Sequence, residues 1–146
     1  MRTTGYRSNP GPGKRKIAGD QYEGTYIHKR DGYYYLIVST GDFMKDYHVV
    51  VGRSRSLMGP YVDRAGRDML GVHHELVVGN GNGFVAPGHN AEFITDDKGQ
   101  DWMLYHTRLE VGGPRYLLLD RIEWNDGWPE VRGHVPARSA EAPVFE

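Results

Sequence analysis

Between Tyr22 and Val62 the chain alternates short runs of β-branched and aromatic residues with turn signals. The runs predicted as strands are TYIHKR, YYYLIVST and HVVVGRS, followed by YVD after Gly59-Pro60. Asp31-Gly32 separates the first two runs, and an Asp-Gly pair in that position is typical of a β-hairpin. In the run that begins at Tyr33, both alternating sets of side chains are apolar. That strand must therefore be covered on both faces of its sheet.

A second series repeats this plan about 68 residues further along the chain. Its runs are AEFITDD, DWMLYHTR, RYLLLDRIEW and WPEV. Two four-stranded antiparallel sheets, each buried on both faces, are typical of neighbouring blades of a β-propeller. The sequence therefore predicts an all-β fold with one blade over about 22–63, an inter-blade loop over about 64–87 and a second blade over about 88–131.

The two ends of the chain lie outside these blades. Residues 1–16 are polar, rich in Gly and Pro and end in a basic run, which predicts a flexible tail or the end of a missing blade. Residues 139–145, SAEAPVF, predict a closing strand that would pair with the first blade. Because closed propellers use about four to eight blades, residues 17–145 are predicted to form only a partial β-propeller.

Composition excludes several classes of protein. The 146 residues carry 18 Lys and Arg against 19 Asp and Glu, which argues against a nucleic-acid partner bound through bulk charge. Without any cysteine, the chain forms no disulfide and no thiolate metal site. No stretch free of Gly and Pro reaches the roughly 20 apolar residues of a membrane span, so we expect no membrane partner. No apolar leader follows Met1, and the residues alone leave the compartment open.

The residues that precede the innermost strand of each blade are predicted to face the central channel. They are Glu23-Gly24-Thr25 in the first blade and Gly88-His89-Asn90 in the second. A carboxylate and a histidine thus occupy equivalent positions on two neighbouring blades. The glycine beside each of them allows the backbone to approach a ligand or the channel closely.

Several of these segments resemble, in the same order, the C-terminal portion of the arabinan-degrading enzymes of glycoside hydrolase family 43. The resemblance covers residues 17 to 145 and rests on QYEGTYIHKRDGYYYL, HHELVVGNGNGFVAPGHNAEF, DWMLYH and DGWPEV. It implies a five-bladed propeller that cleaves α-1,5-linked arabinofuranose chains with inversion, using three carboxylates around the channel. It also implies arabinan or another plant-cell-wall polysaccharide as the substrate, and a secreted or periplasmic location.

The same resemblance places the general acid at Glu23, within Tyr-Glu-Gly-Thr. A general acid must hold its proton near neutral pH, which apolar surroundings or a nearby like charge can arrange. We expect Tyr22 and Tyr26 to supply part of those surroundings.

The resemblance further implies a cation beside His89, either calcium or an alternative hard cation such as sodium, held largely through water. Calcium prefers oxygen ligands, so from the residues alone a channel histidine that is hydrogen-bonded to its surroundings is the competing interpretation. The expected substrate contacts are Thr25, Asn90 and Arg115.

The other two carboxylates of the family pattern, the water-activating base and the aspartate that tunes the acid, have no matching context in this chain. A general acid alone cannot complete inverting hydrolysis, because a second carboxylate must activate water about 6.5–9.5 Å away. Three interpretations stay open. The chain is an inactive piece of an endo-arabinanase-like enzyme, a homo-oligomer whose copies cover each other's open sheet faces, or a non-catalytic carbohydrate-binding or interaction module.

Overall fold

The computed structural model describes residues 13–146, which form two antiparallel β-sheets. The first sheet contains, in this order, β1 (Glu23–Arg30), β2 (Tyr33–Thr40), β3 (His48–Ser54) and β4 (Glu75–Val78). The second contains β5 (Val85–Gly88), β6 (Ile94–Thr95), β7 (Asp101–Arg108), β8 (Tyr116–Asn125) and β9 (Trp128–Val131).

Within this part of the chain, the helical elements are two short 3-10 turns, Met69–Gly71 and Arg132–His134. No helix of the described residues is long and apolar enough to cross a bilayer. The predicted all-β class is confirmed.

Two Asp-Gly pairs make the tightest connections between strands. Asp31-Gly32 links β1 to β2 with φ angles of 50° and 79°, and Asp126-Gly127 links β8 to β9 with φ angles of 50° and 74°. Two successive residues with positive φ are the mark of a type I′ turn, whose twist matches that of the flanking strands. These hairpins are therefore fixed by local sequence.

The two sheets pack face to face around a shared core. The first sheet contributes Tyr35, Ile37, Val49, Val51, Val77 and Val78, and the second contributes Phe93, Met103, Tyr105, Ile122, Trp128 and Val131. The other apolar set of β2, Leu36 and Val38, packs into a second core with Tyr61 and Met69. Strand β2 is thus covered on both faces, as its two apolar sets predict.

The fourth strand of the first sheet is β4 rather than the YVD run, which corrects the predicted limits of the first blade and of the loop at 64–87. Val62 makes only isolated bridges, with Arg53 and Asp68. The segment around it folds over the far face of the first sheet instead. Val77 and Val78 are fully buried between the sheets, so burial selects ELVV for the outer position.

The second sheet has five strands instead of the predicted four, because its innermost strand is interrupted. Both β5 and β6 pair with β7. Between them His89 has a φ of 53°, outside the range of an extended strand, and only the Ala91 N–H to Leu104 carbonyl bond of 2.8 Å continues the ladder. The interruption falls at the predicted channel residues.

Residues 139–145 do not form the predicted closing strand. The Asp97 N–H donates to the Val144 carbonyl at 2.9 Å, and the Val144 N–H donates to Asp96 Oδ2 at 3.4 Å. The segment therefore lies against the turn between β6 and β7 rather than pairing with the first sheet. Pro143 has no N–H to donate to a strand ladder, which disfavours a regular strand. Of the predicted tail, residues 1–12 lie outside the described part.

Candidate active site

The structure brings two of the predicted channel residues, Glu23 and His89, to a single cavity at one end of both sheets. The cavity has a volume of about 180 Å³. Its lining residues are Glu23, Phe43, Tyr47, His89, His106 and Arg115. Three residues singled out from the sequence, Glu23, His89 and Arg115, are thus brought together.

Two glycines allow the backbones to approach each other at this cavity. A Cβ built on Gly24, whose φ is 61°, would lie 3.3 Å from both Cα and Cγ of His89. A Cβ built on Gly88 would lie 1.9 Å from Cδ2 of the Tyr47 ring. Space alone therefore excludes a side chain at Gly88, whereas at Gly24 a Cβ would be tightly packed and the backbone adopts a conformation that side chains disfavour.

The Glu23 carboxylate accepts a hydrogen bond from the Tyr47 hydroxyl at 2.6 Å. Glu23 itself is exposed, whereas Tyr47 is only 1% exposed. Burial raises the pKa of Tyr47, and the hydrogen bond to Glu23 and its negative charge raise it further. The phenol therefore stays a proton-bearing donor to Glu23 throughout the working range of an enzyme.

Two histidine rings are stacked beside this pair. The His106 ring is nearly parallel to Tyr47, at an interplanar angle of 4° and a centroid separation of 6.1 Å, and its centroid lies 6.2 Å from that of His89. Burial lowers the pKa of His106, and the positive charges of Arg115, His89 and Arg108 lower it further. His106 is therefore neutral at neutral pH.

The mouth of the cavity is shaped by two loops that hold each other. The buried Arg108 donates from Nε to the Phe43 carbonyl at 3.1 Å and from Nη1 to the Gly113 carbonyl. The Gly112 N–H donates to the Met44 carbonyl at 3.0 Å. These bonds connect the loop before β3 to the loop before β8, so Phe43 and Arg115 are presented together.

Two of the expected substrate contacts do not line this cavity. Thr25 is exposed beside Glu23. Asn90 is 7% exposed, its Nδ2 donates to the Ala91 carbonyl at 2.9 Å, and its Oδ1 has no protein partner in the described part. Its one protein hydrogen bond is local to the interrupted strand.

The tyrosines expected around Glu23 lie elsewhere, which corrects that prediction. The Tyr22 hydroxyl is bonded to His74 Nδ1 at 2.7 Å, and the Tyr26 hydroxyl to His28 Nδ1 at 2.8 Å. Sequence analysis missed Tyr47, which lies outside every strand, one residue before β3. Tyr47 comes close to Glu23 through the register of β2, in which Ser39 pairs with Glu23 and Thr40 with His48.

The residues at the cavity offer little to a metal ion. In the part of the chain that the structure describes, no three His, Asp or Glu side chains are placed to hold one. Calcium takes about six to eight oxygen ligands. The residues present therefore fit only a cation that is ligated mainly by water.

Comparison with known proteins agrees with the resemblance drawn from the motifs. The sequence model of Glycosyl hydrolases family 43 matches residues 3–129, well over half of the chain. The chain belongs to glycosyl hydrolase family 43.

Two relatives illustrate how this family 43 chain matches. An extracellular exo-α-(1→5)-L-arabinofuranosidase of Cellvibrio japonicus is 33% identical over 117 residues, which cover 76% of this chain and 33% of that protein. An extracellular endo-α-(1→5)-L-arabinanase of Thermotoga petrophila is 32% identical over 147 residues, and the match covers 81% of this chain and 31% of that protein. The family 43 chain thus spans about a third of the length of these relatives.

Solved structures support the β-propeller fold. The α-L-arabinanase of Cellvibrio cellulosa complexed with arabinohexaose matches with a TM-score of 0.68 and 34% identity, over 76% of this chain and 36% of that one. The endo-1,5-α-L-arabinanase of Thermotoga petrophila matches with a TM-score of 0.69 and 28% identity, over 84% of this chain and 34% of that one. The number of five blades stays a prediction.

Proposed function

We propose that this chain is the part of an arabinan hydrolase that carries the general acid, and that Glu23 is this acid. The observation that supports the proposal is the placement of the Glu23 carboxyl at the cavity, with the Tyr47 hydroxyl on its Oε1. The substrate is arabinan or a related pentose polysaccharide, because one family 43 relative above is named an α-(1→5)-L-arabinofuranosidase and the other an α-(1→5)-L-arabinanase. Both are also named extracellular, so we infer that the protein works outside the cell.

The chemistry assigns different tasks to the two oxygens of Glu23. Tyr47 occupies Oε1, so Oε2 is free to carry the proton. This proton passes to the glycosidic oxygen as its bond to the anomeric carbon breaks, and water attacks the opposite face of the sugar. The base that accepts the proton of this water is supplied from outside the residues present, either by further blades of a longer protein or by another copy of this chain.

His89 is proposed as the protein ligand of a hard cation, calcium or sodium, whose other ligands are water. The cation supplies positive potential to the channel. Arg115, at the cavity mouth, is proposed to donate hydrogen bonds to sugar hydroxyls. Thr25 is exposed beside Glu23, and Asn90 Oδ1 has no partner among residues 13–146; both are proposed to complete the substrate contacts.

The deciding experiment measures reducing ends released from linear α-1,5-arabinan by the purified chain, with a Glu23→Gln control and with calcium or a chelator. Cleavage that disappears in Glu23→Gln supports the acid assignment and means that the base is supplied by another copy. Cleavage that persists unchanged in Glu23→Gln refutes the assignment of Glu23. Arabinan binding without cleavage supports the non-catalytic alternative for this chain alone.

Self-association is a second proposal, and one surface favours it. On β8, Leu118 faces the shared core, whereas its neighbours Leu117 and Leu119 alternate to the other face and are 72% and 38% exposed. Ile94, on the same sheet, is 45% exposed. We expect the mass by sedimentation to rise with concentration, and Leu117→Lys to reduce this rise. A mass that stays monomeric at all concentrations refutes it.

A further inference from the structure

We propose that Tyr47 is the positioning residue of Glu23, and that its hydroxyl holds the carboxyl of the acid in one orientation toward the cavity. This inference rests on the proposed function of Glu23. It starts from a difference in restraint between the two side chains. Tyr47 is 1% exposed, whereas Glu23 is exposed. In the described residues, the bond from Tyr47 is the hydrogen bond or ion pair that restrains the Glu23 side chain.

The Tyr47 ring is fixed on two sides. One side of the ring lies over Gly88 and fills the space that a Cβ there would need. A Cβ built on Gly88 would lie 1.9 Å from Cδ2 and 2.3 Å from Cε2 of the ring. The ring also stacks on His106 at an interplanar angle of 4°. Since Gly88 and His106 belong to the second sheet, the second sheet fixes the ring that contacts the acid of the first.

The hydrogen bond is made at the end of the first sheet that faces His89. The Tyr47 hydroxyl donates to Oε1 of Glu23 at 2.6 Å. Ser39, which pairs with Glu23 across β1 and β2, is completely buried and accepts the backbone N–H of His89 on its Oγ at 2.8 Å. The backbone on both sides of the acid is therefore fixed, and the Tyr47 hydroxyl supplies the restraint on the carboxyl itself.

This arrangement defines what Tyr47 does for the reaction. A long, exposed side chain samples several rotamers, so each rotamer is populated only part of the time unless a contact stabilises one of them. A hydroxyl on Oε1 selects the rotamer that presents Oε2 to the cavity. The charged and titratable groups that share the cavity with Glu23 are Tyr47, His89, His106 and Arg115. The tests below are made at one fixed pH.

The kinetic test compares Tyr47→Phe with the control Tyr61→Phe. Tyr61 is also fully buried, and its hydroxyl donates to the Leu57 carbonyl at 2.8 Å. It lies in the second core, with Leu36 and Met69, and does not line the cavity. We expect Tyr47→Phe to lower kcat on arabinan about 10- to 100-fold, as misplacement of a reacting group does. On an aryl arabinofuranoside whose phenolate leaves without protonation, we expect a loss of less than about threefold. Equal losses on both substrates, or none on arabinan, overturn the proposal.

The spectroscopic test needs no turnover. Side-chain coupling constants of Glu23, measured by NMR on labelled chain, are expected to report one rotamer in the wild type and in Tyr61→Phe, and averaged rotamers in Tyr47→Phe. Averaging in the wild type, or a single rotamer in Tyr47→Phe, overturns the proposal. If the wild-type chain cleaves neither substrate, the activity proposed for this chain alone fails, while the NMR result still decides the role of Tyr47.

Discussion

Replacing Gly88 with alanine is the most direct test of how the site is packed. The new Cβ would lie 1.9 Å from Cδ2, 2.3 Å from Cε2 and 3.0 Å from Cγ of the Tyr47 ring. The backbone of Gly88 is not left-handed, so the substitution acts through this overlap alone. Carbon atoms pack at about 3.5–4.0 Å, so the ring must move by roughly 2 Å.

The ring has no free space for such a movement. It is 1% exposed and stacked on His106. Overpacking of a core costs about 1–3 kcal/mol, and a lost hydrogen bond of a buried hydroxyl adds about 1 kcal/mol. We therefore expect Gly88→Ala to lower the free energy of unfolding by about 2–4 kcal/mol, and to weaken arabinan cleavage because Tyr47 leaves Glu23.

Urea unfolding followed by tryptophan fluorescence measures this loss. Gly79→Ala is the matched control, because Gly79 is also buried but its Cβ would meet nothing nearer than Leu76 Cδ1 at 3.6 Å. We expect its effect to stay within about 0.5 kcal/mol. Removing the ring with Tyr47→Ala in the Gly88→Ala background is expected to relieve the overlap, so the two costs are not additive. Unfolding of Gly88→Ala at the wild-type urea concentration, or additive costs, would refute the reasoning.

Further predictions concern buried carboxylates. Burial alone would raise the pKa values of Asp63 and Asp96, but hydrogen bonds lower both pKa values below their usual range. Asp63 accepts these bonds chiefly from Arg67, and Asp96 accepts them from backbone N–H groups and the Trp102 indole. Their folded pKa values lie below the unfolded value of about 4, so their stabilisation is complete above that pH and is lost as pH falls through the folded values. The urea concentration at the midpoint of unfolding should therefore decrease as the pH is lowered below about 4. The decrease should be smaller in Asp96→Asn, and an equal pH dependence of the midpoint in this variant would contradict the prediction. Tyr105→Phe removes the hydroxyl that donates to buried Asp120 at 2.6 Å and should cost about 1–3 kcal/mol in urea unfolding, whereas an unchanged midpoint would contradict it.

The candidate site shows where sequence analysis succeeded and where it stopped. Glu23 and His89 were predicted to face a common channel from equivalent strand positions, and the structure places both at one cavity. Tyr47 was missed because it lies in the loop before β3, where neither periodicity nor a motif marks it. Its role depends on Gly88, which is 41 residues away in sequence and on the other sheet. A contact of that kind has no signature in either segment alone.

The sequence by itself determined the hairpins and the two-sided burial of β2. A turn such as Asp31-Gly32 needs only its own backbone preferences, and alternation needs only a strand of period two. The tertiary structure decided which run became the outer strand of the first sheet. YVD and ELVV are both plausible strands, but only β4 buries Val77 and Val78 against the second sheet, and that burial exists only once the sheets have packed together.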